Sequence, residues 1–191
     1  MGQEPASGRL LRRVPLKAAL IGIAATGLLG AWAPTALACP TADVGAAYQT
    51  TEQARLSVVC LINKNRRHNG AKPVNENSLL DSAAQGHTDA MTSQNFFSHA
   101  GDGTPASRAS NAGFMAGARA WGIGEDLFWG TSRFSTPNAT VRAWMHSAEH
   151  RTVLLSRSYR QVGIGADQGS PAGADDTNSG TYTAMFGFRK G

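Results

Sequence analysis

Residues Ala143–Arg151 read AWMHSAEHR, and within them His146-Ser147-Ala148-Glu149-His150 fits the H-x-x-E-H spacing of inverted zinc metalloproteases. On one continuous helix, His146 and His150 stand four residues apart and share a face, which is a start for two imidazole ligands to zinc. That chemistry needs a third ligand, normally a glutamate well downstream. No glutamate follows Glu149; the only later acids are Asp167, Asp175 and Asp176, all in a stretch that reads as a solvated loop. The motif is therefore incomplete, and short motifs match by chance often enough that the rest of the chain has to decide its meaning.

The stretch lies on an element that opens at Thr136-Pro137, a helix start with proline at its first position, and carries Val141, Trp144, Met145 and Ala148 as its apolar face. Two helices precede it. In the first, Thr50 with Gln53 makes a capping box, Leu56, Val59, Cys60 and Ile62 continue a stripe, and Asn69-Gly70 stops it. In the second, Asn77 caps a run in which Leu80, Ala83, Ala84, His87, Ala90 and Met91 recur at spacings of three and four. Residues 95–124 break periodicity, apart from a short helix near Pro105–Ala112, and a long irregular stretch of this kind is usually functional. Gln161–Ala166 and Thr181–Phe188 read as strands joined by the loop 167–180. Helices first and paired strands late predict an α+β fold, with an antiparallel sheet covered by helices.

The 191 residues amount to one ordinary domain. The first 38 order themselves as basic residues (Arg9, Arg12, Arg13, Lys17), an apolar run at Leu20–Trp32, and Ala36-Leu37-Ala38, which is the pattern of a secretory signal peptide cut before Cys39. The expected organisation is a signal peptide over 1–38, a polar leader over 39–49 and one domain over 50–191. No transmembrane segment is expected in the mature chain. Cys39 and Cys60 are the only cysteines, and in an exported chain they most simply pair, pinning the leader to the first helix. Lipidation of Cys39 is the alternative, although a lipobox wants a large aliphatic residue where Ala36 stands. The whole chain has 18 basic and 13 acidic residues; with four basic and one acidic in the signal peptide, the mature part holds 14 and 12. That balance, with no basic helix carrying interleaved aromatics, gives no reason to expect nucleic acid as a partner or electrostatic docking on a membrane.

Several separated pieces agree with one family. The run Cys60-Leu-Ile-Asn-Lys-Asn-Arg-Arg67, the step Phe97-Ser98-His99, Gly124-Glu125, Ala143-Trp144-Met145 with Ser147 and His150-Arg151, Val162-Gly163-Ile164-Gly165 and Phe186-Gly187 together resemble the bacterial branch of the CAP superfamily, the SCP-like extracellular proteins. The resemblance covers roughly residues 50–191. It implies a three-layer α-β-α sandwich with a central twisted antiparallel sheet, and a cleft lined by histidines and acids that in many animal members holds a divalent metal. His99 matches the first family histidine and Glu125 the glutamate of a Gly-Glu-Asn step, while Asp126 replaces the asparagine and would add a negative charge beside the cleft. Where animal members have their second histidine this chain has Ser158-Tyr159, and the bacterial branch offers His150 instead.

The resemblance thus implies His99, Glu125 and His150 as cleft residues, either catalytic or, for His99 and His150, ligands to zinc or another divalent metal. Two imidazoles and a carboxylate can hold a metal with a position left open, or can act as acid, base and orienter without one. They can also simply hydrogen-bond around a polar cleft. His87, on an apolar helix face, reads as a core histidine; Arg108 and Arg151 read as surface partners of acids such as Asp126 or Glu149. Trp121, Phe128 and Trp129 flank Glu125 as packing or as cleft walls. Two functions follow: a secreted module binding a lipid, sterol or cell-surface component, or a metal-assisted or acid/base hydrolase acting on peptide or cell-surface polymer. A purely structural or defensive role is the third.

Overall fold

The computed structural model describes residues 38–173 and 178–191. Nearly all of the expected signal peptide, and Asp175 and Asp176 of the late loop, lie outside them. The described residues form one compact unit. In chain order it contains α1 (Thr51–His68), β1 (Asn75–Glu76), α2 (Ser78–Ser93), α3 (Pro105–Asn111), β2 (Ala120–Thr131), α4 (Pro137–His146), α5 (Ala148–Leu155), β3 (Gln161–Asp167) and β4 (Ser179–Lys190), with single 3-10 turns at Ala46–Tyr48 and Ser132–Phe134.

The caps act where the sequence places them. Thr50 and Gln53 close a reciprocal box at the start of α1, and Gly70, at φ +68°, carries the chain out of its end. The Asn77 side chain accepts from the amides of Leu79 and Leu80, and Thr104 with Ser107 boxes the start of α3.

The sheet runs in the order β1-β3-β4-β2. β2, β4 and β3 are antiparallel, as expected, but the two-residue edge β1 runs parallel to β3, so the sheet is mixed at that margin. β2 itself was not foreseen. Twelve residues, most of them placed in or beside the irregular stretch, pair in continuous register with β4 from Ala120 opposite Lys190 to Thr131 opposite Ser179.

Helices cover both faces, which makes the three layers. On one face α1, α4 and α5 bury Val58, Ile62, Trp144 and Leu154 against Val162, Ile164, Tyr182 and Phe186. Each such large apolar side chain contributes roughly 1.5–3 kcal/mol by leaving water. On the other face α2 and α3 bury Leu80, Ala84, Ala109 and Phe114 against Met185. Here the strands present glycine: a β-carbon on Gly163 would stand 2.0 Å from the Leu80 carbonyl carbon, and one on Gly165 2.3 Å from the Ala84 oxygen. The Val-Gly-Ile-Gly run is the seat that lets α2 lie directly on the sheet.

The expected single helix from Pro137 through the His146–His150 stretch is two. At Ser147 the backbone turns to φ −89°, ψ 128°, so that Ser147 ends α4 and caps α5. The leader is tied as expected: Cys39 and Cys60 form a disulfide with Cα atoms 5.6 Å apart. A sulfur held in that bond has no valence for a thioether lipid.

Candidate functional site

The break at Ser147 disposes of the opening motif. His146 and His150 belong to different helices and share no face. His146 is exposed, with Nδ1 2.7 Å from the Arg142 carbonyl, and it borders an open groove of about 620 Å³ lined also by Phe128, Phe134, Arg133, Arg142 and Asn138. Asp167, one of the candidate third ligands, instead accepts from Thr92 Oγ1 at 2.5 Å.

The residues that do converge sit on the α2/α3 face of the sheet. Side chains alternate along β2, and Glu125 points toward α2 and α3 with its side chain 1 % exposed. His99, on the loop between α2 and α3, places Nδ1 2.8 Å from Glu125 Oε1. Arg108, in the first turns of α3, donates from Nη2 to both Glu125 oxygens at 2.9 and 2.7 Å, and from Nη1 to Asp102 Oδ1 at 2.7 Å. It also holds the loop by donating to the carbonyls of His99 and Gly103. His87, fully buried on α2, places Nδ1 2.7 Å from Asp102 Oδ1, and its Nε2 lies 3.8 Å from Glu125 Oε1 with no hydrogen-bond partner among the described residues.

The cluster is thus a closed network of His87, His99, Asp102, Arg108 and Glu125, with two carboxylates against one guanidinium. Burial lowers the proton affinity of His87, an effect that the Glu125 carboxylate opposes. In its neutral form Nδ1–H donates to Asp102. The His99 imidazole, 52 % exposed, is the most solvent-accessible member of the network, with Asp102 partly exposed and the Arg108–Glu125 pair buried. His150, in the first turn of α5, is half-buried; burial first, and then the charge of His99, lower its proton affinity. It therefore stands within electrostatic reach of His99, but no hydrogen bond joins it to His99 or Glu125 among the described residues.

Three of the sequence expectations need correction here. Arg108 is not a surface partner: it is buried and neutralises Glu125. His87 is a core residue, but one that anchors the site loop through Asp102. Asp126 does not add charge to the cleft. It points to the opposite face from Glu125, both its oxygens are buried without a hydrogen-bond partner among the described residues, and burial, followed by the Glu125 charge, pushes its pKa up to about 8. Its carboxyl is predominantly protonated at pH 7. Phe128 packs on the α1/α4/α5 core, while Trp121, 46 % exposed, stands at the far end of β2 and does not wall the cluster. Arg151 donates to the Met145 carbonyl at 3.1 Å.

A divalent metal does not fit these residues. Both Glu125 oxygens are engaged by a cation already present, and among the described residues no three His, Cys, Asp or Glu side chains are grouped to hold an ion. Sequence reasoning missed Arg108 and Asp102. The available signal was that Arg108 is the only charged residue between Asp102 and Arg119, set among alanines and serines where an unpaired charge would be costly to bury.

The sequence pattern of the cysteine-rich secretory protein family, CAP, matches residues 59–185. The chain belongs to this family. All of the network, and both helices of the broken motif, lie inside the matched CAP region. A curated relative, the uncharacterized protein YkwD of Bacillus subtilis, is 29 % identical over 110 residues, 56 % of this chain, and the chain spans only 40 % of that relative's length. Among solved structures, an outer surface protein from Borrelia burgdorferi aligns with TM-score 0.57 at 18 % identity, over 70 % of this chain and 90 % of that one. An extracellular protein containing an SCP domain from Bacillus anthracis aligns with TM-score 0.56 at 22 % identity, over 74 % and 44 %. These likenesses establish the CAP fold. Among the described residues no helix is long and apolar enough to cross a membrane.

Proposed function

We propose that this CAP domain is an extracellular binding module for a lipid-like ligand with an anionic head, held in the groove along α4 and not at the His99–Glu125 cluster. The observation that carries this reading is the groove itself. Phe128, Phe134, Ala139 and Ala143 give it an apolar lining, and Arg133, Arg142 and His146 give it cationic or proton-donating groups. The guanidinium of Arg133 lies 4.8 Å over the Phe134 ring, and neither arginine has a carboxylate partner among the described residues. Asp43 is in the groove too, but its Oδ1 accepts from Asn138 Nδ2 at 2.6 Å, so the balance favours an anion. Export is supported by the signal-peptide pattern at 1–38 and by the disulfide, which persists in oxidising surroundings.

The test is a titration of residues 39–191 with a fluorescent long-chain fatty acid, beside a sterol of similar apolar area and no charge. Saturable binding is expected for the fatty acid, weaker binding for the sterol. Phe134→Ala and Arg142→Ala should each weaken the fatty acid about tenfold, the size expected for one charge-assisted contact, and His99→Ala should leave it unchanged. No saturable signal from the unmutated chain removes the proposal.

One observation favours the hydrolase as a second reading. Glu125 fixes the His99 ring through Nδ1 and leaves the other ring nitrogen available as a general base for water, with no metal required. Cleavage of peptide or cell-surface polymer by the unmutated chain, lost in His99→Ala and reduced in His150→Ala, would put this reading first.

A further inference from the structure

We infer that one end of the molecule, away from both the groove and the buried cluster, is a docking face for an anionic phospholipid surface. The end is built from three separate segments. At the exit of α1, exposed Arg67 and Lys72 flank buried Arg66, whose guanidinium donates to the carbonyls of Lys72 and Tyr159. Arg157, following α5, lies against that exit, with Nη2 3.7 Å from the position of a β-carbon on Gly70. Arg160 turns its Nη1 onto the Tyr159 carbonyl at 2.8 Å, and its amide meets the Gly187 carbonyl at 3.0 Å, which joins this group to the end of β4.

There Arg160, Phe188, Arg189 and Lys190 line a recess of about 380 Å³, and the Arg119 amide donates to the Lys190 carbonyl at 2.9 Å. Half of the fourteen basic residues beyond position 38 are therefore exposed at this one end. Among the described residues none of them forms an ion pair; Glu76, on the neighbouring strand β1, is turned to Arg55. The crowding of like charge reaches inside: the Arg160 charge, after burial, lowers the proton affinity of Arg66. A near-neutral net charge hid the patch because its cations come from segments up to about 120 residues apart and meet only in the fold.

Two features favour a bilayer over a soluble polyanion. The cations are spread over a broad end and not confined to a single slot, and Trp121, 46 % exposed, stands opposite Arg189 in the β2–β4 register. An indole beside lysine and arginine is suited to the headgroup layer, where the ring enters the boundary and the cations meet phosphate.

The experiment is flotation of residues 39–191 with vesicles of phosphatidylcholine alone and of phosphatidylcholine with about a third phosphatidylglycerol, at low and high salt, with inorganic polyphosphate as a soluble polyanion. Association with the anionic vesicles only, weakened by salt, is expected. Arg157→Glu with Arg160→Glu should weaken it at least tenfold, given the contribution of each cation near an anionic surface. The same pair changed to lysine should retain it, which separates charge from misfolding. Trp121→Ala should weaken it while keeping the salt dependence. Equal association with neutral vesicles, no association with anionic ones, insensitivity to the glutamate pair, or binding of polyphosphate without vesicles would each overturn the inference.

Discussion

Arg108 is the residue on which the site turns. Its side chain is 7 % exposed and is shared between Asp102, 22 % exposed, and Glu125, 1 % exposed. Removing one partner of a buried pair leaves the other charge uncompensated, so Arg108→Met should cost roughly 3–5 kcal/mol in denaturant unfolding. Arg108→Met combined with Glu125→Gln should regain a large part of that loss, because the charge left stranded is then gone as well; a double variant no better than the single would show that shape, not charge, is at stake. Asp126 makes the opposite case, a buried carboxyl with no hydrogen-bond partner among the described residues. Its pKa in the fold, about 8, lies above its ordinary 3.8, so its contribution is fully favourable below pH 4 and is lost as pH rises toward 8. The gap sets a ceiling of about 6 kcal/mol, reduced by any water that reaches the group. Unfolding free energy should therefore fall between about pH 4 and pH 8 in the native chain, and Asp126→Asn should flatten that fall; parallel curves for the two would count against it. His99, Glu125 and His150 were legible as separate letters of family motifs. The guanidinium between the loop and the sheet was not, because Arg108 and Glu125 are 17 residues apart and nothing local to either announces the other.

At the scale of elements, the sequence spoke clearly where a helix has a cap and one dry face. The box at Thr50 and the Asn77 cap stand where they were read, the short helix α3 lies where one was expected, and β3 and β4 extend the predicted strands by a few residues. It was silent for β2, which reads Ala-Trp-Gly-Ile-Gly-Glu-Asp-Leu-Phe-Trp-Gly-Thr. Helices cover both faces of that strand, so no alternation of apolar and polar residues survives, and Glu125 and Asp126 interrupt the apolar run that a doubly covered strand would otherwise show. The joint between α4 and α5 was hidden for a related reason: helical periodicity continues through Ser147, and only the backbone shows that the serine begins a second helix. The contact of α2 with the sheet yields a sharp prediction. A methyl group on Gly163 would fall within 2.4 Å of three backbone atoms of Leu80 and Asp81, which cannot move aside as a side-chain tip could. Gly163→Ala should cost at least the 1–3 kcal/mol typical of overpacking. Gly86→Ala, on the same helix's outer side with nothing within 4 Å, should instead stabilise by up to about 1 kcal/mol through helix propensity. Thermal melts of the two variants should move in opposite directions, and equal shifts would mean that α2 does not seat on β3 as described.

Across the whole molecule, the leader is what remains to be held once the two cores have formed, since residues 39–49 form no regular element beyond a single 3-10 turn. Several attachments do this, three of them near its start. The Cys39–Cys60 bond fixes its start to α1, Thr41 Oγ1 lies 2.8 Å from Ser57 Oγ, and the Ala42 carbonyl accepts from the Asn138 amide at the start of α4. The last contact matters beyond stability, because Asp43 and Asn138 together form one wall of the α4 groove. The disulfide closes a separation of 21 residues, for which loss of unfolded-chain entropy predicts about 3 kcal/mol of stabilisation. In a domain of this size each kcal/mol moves the melting temperature by about 2–4 °C, so Cys39→Ser with Cys60→Ser should lower Tm by about 10 °C. The native chain treated with reductant should lose the same amount, and the serine variant should not respond to it. Because the buried residues of both core clusters and the Arg108 network lie outside the leader, the folded variant should keep the cooperativity of unfolding and the native far-ultraviolet circular dichroism. Its groove should loosen at the Asp43–Asn138 wall, so that fatty-acid binding weakens while association with anionic vesicles stays as in the native chain. A variant that lost both together would show that the disulfide supports the whole fold and not only the segment it ties.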